Sequence, residues 1–175
     1  MKPLAAALIL LVAASAPGCY RIAGRPYENV HTVGVKVFTN KTLYSGVDFQ
    51  LTDAVRRELS ATTVYAVASP AKADAVIEGD LTEYSEPAEV VDEQQNVVAR
   101  RLFAAASYRL VDNSSGEVLA GPASARWSEL YRMRTGRTLA EVREDLFRKL
   151  AQRIVQQVFL PWPDDGALEP EDQQE

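Results

Sequence analysis

The sequence predicts a two-layer α+β fold in which two helices pack on one face of a mostly antiparallel four-stranded sheet. Three observations lead to this prediction. Two segments carry apolar residues at helical spacing, four segments alternate apolar and polar residues as half-buried strands do, and their order is strand, helix, three strands, helix. A short apolar stretch at 62–69 adds either a brief strand or an extended return after the first helix.

The first strand and helix lie between residues 30 and 60. Alternation over 30–38 places three valines on one strand face: Val33, Val35 and Val37. The helix is predicted over 45–60, because apolar residues recur there every four positions: Val47, Leu51, Val55 and Leu59. Ser45, with Asp48 three positions later, resembles a capping box at its start.

The next three strands form a predicted antiparallel meander. A strand at 74–84 is followed by a polar connection over 85–96 and by a long strand at 97–112. A turn rich in Asp, Asn, Ser and Gly then leads into a hairpin partner at 117–132. Pro122 lacks an N–H group, which indicates an edge or a bulge at that point.

The last helix has the clearest pattern. Thr138 and Glu141 form a capping box, and Pro161 and Pro163 end the helical segment. Its apolar stripe comprises Leu139, Val142, Leu146, Leu150, Ile154 and Val158. The remaining tail, 161–175, carries six acidic and no basic side chains, so we expect it to be disordered. The predicted domain, 30–160, therefore excludes the tail.

The first eighteen residues read as a signal peptide. Lys2 precedes an apolar run over 4–14, which at eleven residues is too short to span a membrane. The small residues before Cys19 resemble a bacterial lipobox, after which cleavage leaves a lipidated cysteine as the first residue. Plain cleaved secretion is the alternative. Residues 19–29 would then form the lipidated N-terminus and a tether.

No catalytic constellation emerges from the sequence. Cys19 is the only cysteine and His31 the only histidine, which excludes the usual Cys/His dyad and histidine-rich metal sites. Glu78 and Asp80 share one strand face and suit acid–base chemistry, but paired acids are also common on a solvated face. A glycine-rich phosphate loop is absent. We therefore predict a protein that is not an enzyme and needs no cofactor or metal.

Several motifs together resemble the lipopolysaccharide-assembly lipoprotein family, LptE. They are a strand ending in F-x-N-x-T at 38–42, a helix with L-T-D-A-V-R-x-E-L at 51–59, and A-D-A-V-I-E-G at 73–79 followed by an aromatic residue. The resemblance extends from Cys19 to about Val158. Several other bacterial envelope lipoproteins share the first strand and helix, so the later motif, the hairpin and the last helix carry the distinction.

The resemblance implies a domain anchored to the periplasmic side of the outer membrane. It would plug an LptD-like β-barrel, assist its assembly and help deliver lipopolysaccharide to the outer leaflet. Tyr20 after the cysteine, in place of a retention aspartate, agrees with this location. The alternative is an envelope lipoprotein that serves as a structural or regulatory module of a cell-wall synthase, a secretion pore or a lipid-transport complex.

The meander predicts a cluster of arginines at one end of the sheet. The connections 85–97 and 133–138 would lie together there, and five arginines belong to this end: Arg100, Arg101, Arg132, Arg134 and Arg137. Guanidinium groups bind phosphates through bidentate hydrogen bonds, and lipopolysaccharide carries phosphates. We therefore expect this end to bind lipopolysaccharide or the acidic lumen of the barrel. Alternatively, the arginines solubilise a loop or pair with Glu129 and the acidic 85–93 stretch.

Overall fold

The computed structural model describes residues 27, 29–91, 93, 94, 96–133 and 136–159. Two helices, α1 (Val47–Thr62) and α2 (Leu139–Phe159), pack on one face of a seven-stranded mixed sheet. The strands are β1 (Thr32–Val35), β2 (Thr39–Asn40), β3 (Ala66–Val67), β4 (Ala75–Ser85), β5 (Ala88–Val91), β6 (Val97–Asp112) and β7 (Val118–Arg132). The predicted α+β class is confirmed. The signal peptide, Cys19, Arg134 and the acidic tail lie outside the described residues.

The predicted strand number was wrong, because the sheet has seven strands and not four. The sheet is mixed: its long pairings, β4–β6 and β6–β7, are antiparallel as predicted, and its short pairings at one side are parallel. β1 and β2 lie along the same edge of β4 and run parallel to it, and β4 and β5 likewise share one edge of β6. β3 adds two residues parallel to β1. The predicted first strand is thus shortened to β1. Strands β2 and β5 are additional short strands, and the brief strand considered after the first helix is present as β3. The parallel pairs follow from the crossover through α1, because a helical connection lets the next strand run in the same direction.

The early end of β1 changes the predicted face of Val37. β1 ends at Val35, and Val37 is 46% exposed, whereas Phe38 is buried. The backbone N–H of Phe38 donates to Thr52 Oγ1 of α1 at 3.1 Å. This hydrogen bond holds Phe38, and not Val37, beside the helix. The alternation therefore changes phase after Val35.

The two helices begin in different ways. At α1 the residue before the helix is Gly46, which adopts a left-handed conformation with φ 76° and makes no side-chain cap, so the predicted Ser45 capping box was wrong. At α2 the capping box is confirmed. Glu141 accepts hydrogen bonds from the Thr138 N–H at 2.6 Å and hydroxyl at 3.0 Å, and the Glu141 N–H donates to Thr138 Oγ1 at 3.2 Å.

The long hairpin is confirmed, with β6 ending at the predicted residues. β6 and β7 pair antiparallel without a register shift from Tyr108–Ala123 to Ala99–Arg132. Pro122 lies where the register shifts and on a strand whose only described partner is β6, as its missing N–H group predicts. The predicted polar connection at 85–96 was wrong in part, because it contains β5. The sequence did not predict β5, because all four of its residues are exposed and show no alternation of buried and exposed side chains.

The core lies between the helices and the even-numbered side chains of β6. These inward side chains are all buried: Leu102, Ala104, Ala106, Tyr108 and Leu110. The predicted stripe of α2 is buried against them from Val142 onward, while Leu139 is only partly buried. Ala104 and Ala106 are small, which lets the helix lie close to the centre of the sheet. The α1 stripe is buried throughout, as predicted.

Leu150 lies fully buried in the middle of α2, and its truncation tests this packing. We expect Leu150→Ala to lower the free energy of unfolding by about 2–5 kcal/mol, because it removes apolar contacts and leaves a cavity. Urea denaturation gives the value. Gln156→Ala, an exposed change on the same helix, should stay within about 0.5 kcal/mol of the unaltered protein. Equal effects of both substitutions would contradict the packing described.

The β6–β7 turn provides a test by pH. The Asp112 carboxylate accepts hydrogen bonds from the hydroxyls and N–H groups of Ser114 and Ser115, which lower its pKa to about 2. Because the folded pKa is depressed, this stabilisation is present above the unfolded pKa of about 3.9 and is lost as the pH falls through about 2. Asp112→Asn should therefore show a shallower acid loss of stability between those values in urea titrations. Parallel acid profiles would disprove the role of this carboxylate.

Candidate functional site

The topology brings the predicted arginines to one end of the sheet. Arg132, at the end of β7, follows Tyr131, which is paired with Arg100 near the start of β6. β5 pairs with residues 97–100 on the other edge of β6, so the predicted 85–97 connection reaches the same end. Arg100 lies on the helix side of the sheet, whereas Arg101 and Arg132 lie on the opposite side. We call this end of the sheet, with Arg100, Arg101, Arg132 and Arg137, the arginine end. Arg134 belongs to the same predicted cluster but is outside the described residues.

Arg101 is held by an acidic partner. Its Nε and Nη2 atoms donate to the two carboxylate oxygens of Glu89 at 3.0 and 2.8 Å. These hydrogen bonds raise the pKa of Arg101 and lower the pKa of Glu89. The side chains are 43% and 35% exposed, and an ion pair so exposed is weak enough for a phosphate to displace the carboxylate.

The other arginines differ in their partners. Arg100 is half-buried and donates from Nη1 to the Glu86 backbone carbonyl at 3.0 Å. Within the described ranges it forms no ion pair, so no carboxylate there compensates its charge. Arg137 bonds the Asp145 carboxylate of α2. Pairing with the acidic stretch, which the sequence left as an alternative, therefore holds for Arg101, whereas Glu129 instead accepts from Trp127 Nε1 at 2.9 Å.

Arg143 of α2 binds two residues at the end of β4, and no motif in the sequence pointed to this role. Its Nε donates to the Tyr84 hydroxyl at 2.8 Å and its Nη2 to Glu86 Oε1 at 2.8 Å. The Tyr84 hydroxyl also donates to Glu86, and its ring stacks on Phe147 at 5.8 Å. Burial is the main cause that raises the pKa of Tyr84. This network joins the end of β4 to α2 and fixes the carbonyl that binds Arg100.

Exposed apolar side chains flank the arginine end. Val90 and Val91 of β5 and Met133 after β7 are each about half exposed. The Met133 N–H donates to the Val98 carbonyl at 3.1 Å, which holds the chain beside the start of β6. Guanidinium groups next to exposed hydrocarbon give a surface suited to an amphiphile with phosphate and acyl groups.

Two aromatic side chains of β7, Trp127 and Tyr131, lie on the helix side of the sheet. Trp127 pairs with Ala104 and Tyr131 with Arg100, so both share the face of β6 that points toward the helices. Each is half-buried against the core. Both side chains therefore belong to the margin of the core.

Glu78, one of the two acids considered for catalysis, is fixed in an ionic cluster on the face of the sheet opposite the helices. Its carboxylate binds Lys36 Nζ at 2.6 Å and Arg109 Nη2 at 2.6 Å. Hydrogen bonds from Lys36 and then from Arg109 lower the pKa of Glu78. A carboxylate whose pKa lies below the usual range is a weak base near neutral pH, so the arrangement suits charge pairing rather than proton transfer.

The described part of the chain offers neither a metal site nor a membrane-spanning helix. It contains no group of three His, Cys, Asp or Glu side chains placed to hold a metal ion. None of its helices combines the length and apolar character needed to cross a bilayer. His31 is exposed directly before β1.

Comparison with known proteins identifies a family model and a recurring fold. The model described as LptE, lipopolysaccharide-assembly, matches residues 30–159. Curated protein sequences gave no match.

Several solved bacterial structures are similar to this chain. The dodecamer of a PelC point variant from Paraburkholderia phytofirmans is 18% identical, with a TM-score of 0.52 over 74% of this chain and 90% of that chain. A second PelC dodecamer structure from the same organism is 20% identical, with a TM-score of 0.50 over 74% and 91%. Lipoprotein GNA1162 from Neisseria meningitidis is 18% identical, with a TM-score of 0.45 over 73% and 96%. At these identities the PelC likeness shows the fold alone.

The support given by Arg143 can be tested by substitution. Arg143→Gln should lower the free energy of unfolding by about 1.5–3 kcal/mol, because it removes hydrogen bonds to the carboxylate and the hydroxyl of two largely buried side chains. Arg153→Gln, which changes an exposed arginine of the same helix, is the matched control and should have little effect. Urea denaturation compares them, and equal stabilities would show that the network does not stabilise the fold.

Proposed function

Because this chain belongs to the LptE family of lipopolysaccharide-assembly proteins, we propose that it plugs an LptD-type β-barrel in the outer membrane and helps deliver lipopolysaccharide. The family is one of non-enzymatic lipoproteins, and its model extends over all the described strands and helices. Cleavage before Cys19 and lipidation of its sulfur and amino group would hold the domain on the periplasmic side of that membrane. Assistance in assembling the barrel is part of the same proposal.

The observation that carries the proposal is the position of the arginine end relative to the expected lipid. Tyr27 lies at the opposite end of the domain, where its hydroxyl donates to the Val158 carbonyl at 2.9 Å and its ring meets Phe159. The eight residues that separate Cys19 from Tyr27 span at most roughly 28 Å. The domain thus attaches to the membrane by one end and presents arginines and apolar side chains at the other. This polarity suits a plug that meets its ligand deep in the barrel.

The chemistry of that end fits lipopolysaccharide in two respects. Arg100 keeps a charge that no carboxylate in the described ranges neutralises, and the exposed Arg101–Glu89 pair can exchange its carboxylate for a phosphate. Exposed Val90, Val91 and Met133 offer contacts to hydrocarbon. Arg132, Arg134 and Arg137 complete the proposed ligand-binding set.

The likeness to PelC favours a second candidate function. PelC forms a dodecamer, and its fold is shared by this chain at TM-scores of 0.52 and 0.50. The alternative is therefore a structural or regulatory subunit of another envelope complex, such as a secretion pore, a cell-wall synthase or a lipid transporter. This candidate also uses the lipid at Cys19 but needs no barrel around the domain.

Purification of the full chain decides between these candidates. A tag placed after residue 175 allows isolation from detergent-solubilised membranes, and mass spectrometry identifies the proteins that accompany it. A stoichiometric outer-membrane barrel supports the plug. A secretion or cell-wall component in its place supports the alternative. The mass of the N-terminal peptide shows in the same sample whether Cys19 carries lipid.

Charge reversal tests the ligand-binding part of the proposal. The double variant Arg132→Glu, Arg134→Glu should bind purified lipopolysaccharide about tenfold or more weakly, because it replaces phosphate-binding cations with repelling carboxylates. Arg153→Glu places one reversed charge on the exposed face of α2 and is the control. Circular dichroism confirms folding of each variant. Unchanged affinity in a folded double variant would end the assignment of this site.

A further inference from the structure

The outer edge of β7 is long and regular. β7 pairs with β6 along one side, and its other side has no strand partner among the described residues. The pairing is continuous over 123–132, with no bulge or proline in those ten residues. At the other edge of the sheet, β3 has only two residues. The sheet therefore has one edge long enough to add a strand.

The register determines which backbone groups point outward from β7. The Met133 N–H donates to the Val98 carbonyl, so 133 and 98 form a hydrogen-bonded pair. Such pairs alternate along an antiparallel ladder, which makes 131, 129, 127 and 125 the other residues bonded to β6. The N–H and carbonyl groups of the even-numbered residues therefore face away: Ser124, Arg126, Ser128, Leu130 and Arg132. The first four of these residues have no strand partner for these groups in the part of the chain that the structure describes.

This edge lacks the usual protection against strand pairing. Natural sheets block exposed edges with prolines, bulges or several charges. Here Gly121 and Pro122 protect only the beginning of β7. Two of the five residues whose backbone groups face outward are charged. Arg126 lies near the middle of the regular stretch and pairs with no carboxylate within the described ranges, whereas Arg132 lies at its end.

We propose that the edge of β7 binds an extended segment of the partner protein, which adds to the sheet as a further strand. Backbone hydrogen bonds to Ser124, Arg126, Ser128 and Leu130 would give the affinity, and alternate side chains would give the specificity. On the helix side, apolar residues of the segment cover the half-buried Trp127 and Tyr131. On the opposite side, an acidic residue lies across from Arg126. The identity of the partner, an LptD-type barrel protein, rests on the proposed function, whereas the chemistry of the edge does not.

Charge argues for a different protein rather than a second copy as the occupant. In antiparallel pairing, residues across from each other share a face of the sheet. The side chains of β7 on the face of Arg126 are Ser124, Ser128, Leu130 and Arg132, which include no carboxylate. A second β7 therefore offers Arg126 no acidic partner.

Proline at position 128 tests the backbone interaction directly. Because the Ser128 N–H faces outward, Ser128→Pro removes a hydrogen bond to the added strand but none to β6. Ser128→Val, which keeps the N–H group, is the matched control. The probe is a fluorescently labelled peptide of ten residues that alternates valine and glutamate, and binding is followed by anisotropy with the full chain. Urea denaturation shows whether both variants remain folded.

The unaltered protein and Ser128→Val should bind the peptide equally, and Ser128→Pro about tenfold or more weakly. Absence of binding by the unaltered protein at about 1 mM peptide, or equal binding by a folded Ser128→Pro, would overturn the proposal. Ser124→Pro, at another outward position, replaces Ser128→Pro if that variant does not fold.

Co-expression with the barrel protein separates this inference from the proposed function. Loss of the barrel from Ser128→Pro, but not from Ser128→Val, supports both the strand addition and the proposed function. Equal recovery of the barrel with both variants contradicts strand addition and leaves the plug intact. If the unaltered chain carries no barrel, the proposed function fails and the peptide result alone decides the inference. Self-association that Ser128→Pro abolishes in sedimentation would make the occupant a second copy and overturn the partner assigned here.

Discussion

The packing of α2 against the inward face of β6 is the contact on which the rest of the molecule depends. Leu146, Leu150 and Ile154 are fully buried, and the small side chains of Ala104 and Ala106 leave room for the helix on this face of the sheet. A one-residue slip of β6 would exchange its buried and outward side chains. The helix thereby fixes the register of β6, and β6 in turn fixes the faces of β4 and β7. This register places Arg100 and Arg101 of β6 beside the end of β7 that carries Arg132.

Unequal lengths explain why the sheet has a free end at all. The 16 residues of β6 extend over about 50 Å, whereas the 21 residues of α2 span about 30 Å. The strand is therefore longer than the helix that covers it. Tyr27, Tyr65 and Phe159 fill the space near the end of α2 with aromatic contacts. At the other end the Arg143 network closes the helix onto β4, and the start of β6 continues beyond it with β5.

The sequence predicts those features that a regular period encodes. Both helices and β6 could be predicted because their buried residues recur at a constant spacing. The capping box at Thr138 could be predicted because a Glu follows three positions later. The phase change after Val35 could not be predicted, since it depends on a hydrogen bond from Phe38 to Thr52, a residue 14 positions away. β5 was missed because its stability comes from pairing with β6 and not from burial of its own side chains. For the site, the predicted topology was enough to place Arg100 and Arg132 at the same end of the sheet. The contacts of Arg143 could not be predicted, because Tyr84 and Glu86 are 59 and 57 positions away in the sequence.

The two proposed surfaces share the β6–β7 hairpin, and this sharing has a thermodynamic consequence. Arg126 and Leu130 line the free edge, and Arg132 continues the same strand into the arginine end. A strand added along β7 would order its last residues and bring an acidic side chain near Arg126. Binding of a phosphate at Arg132 would order the same residues from the other side. If each event changes the affinity of the other, linkage requires the two effects to be equal, so a partner that holds the edge also sets the affinity for the lipid.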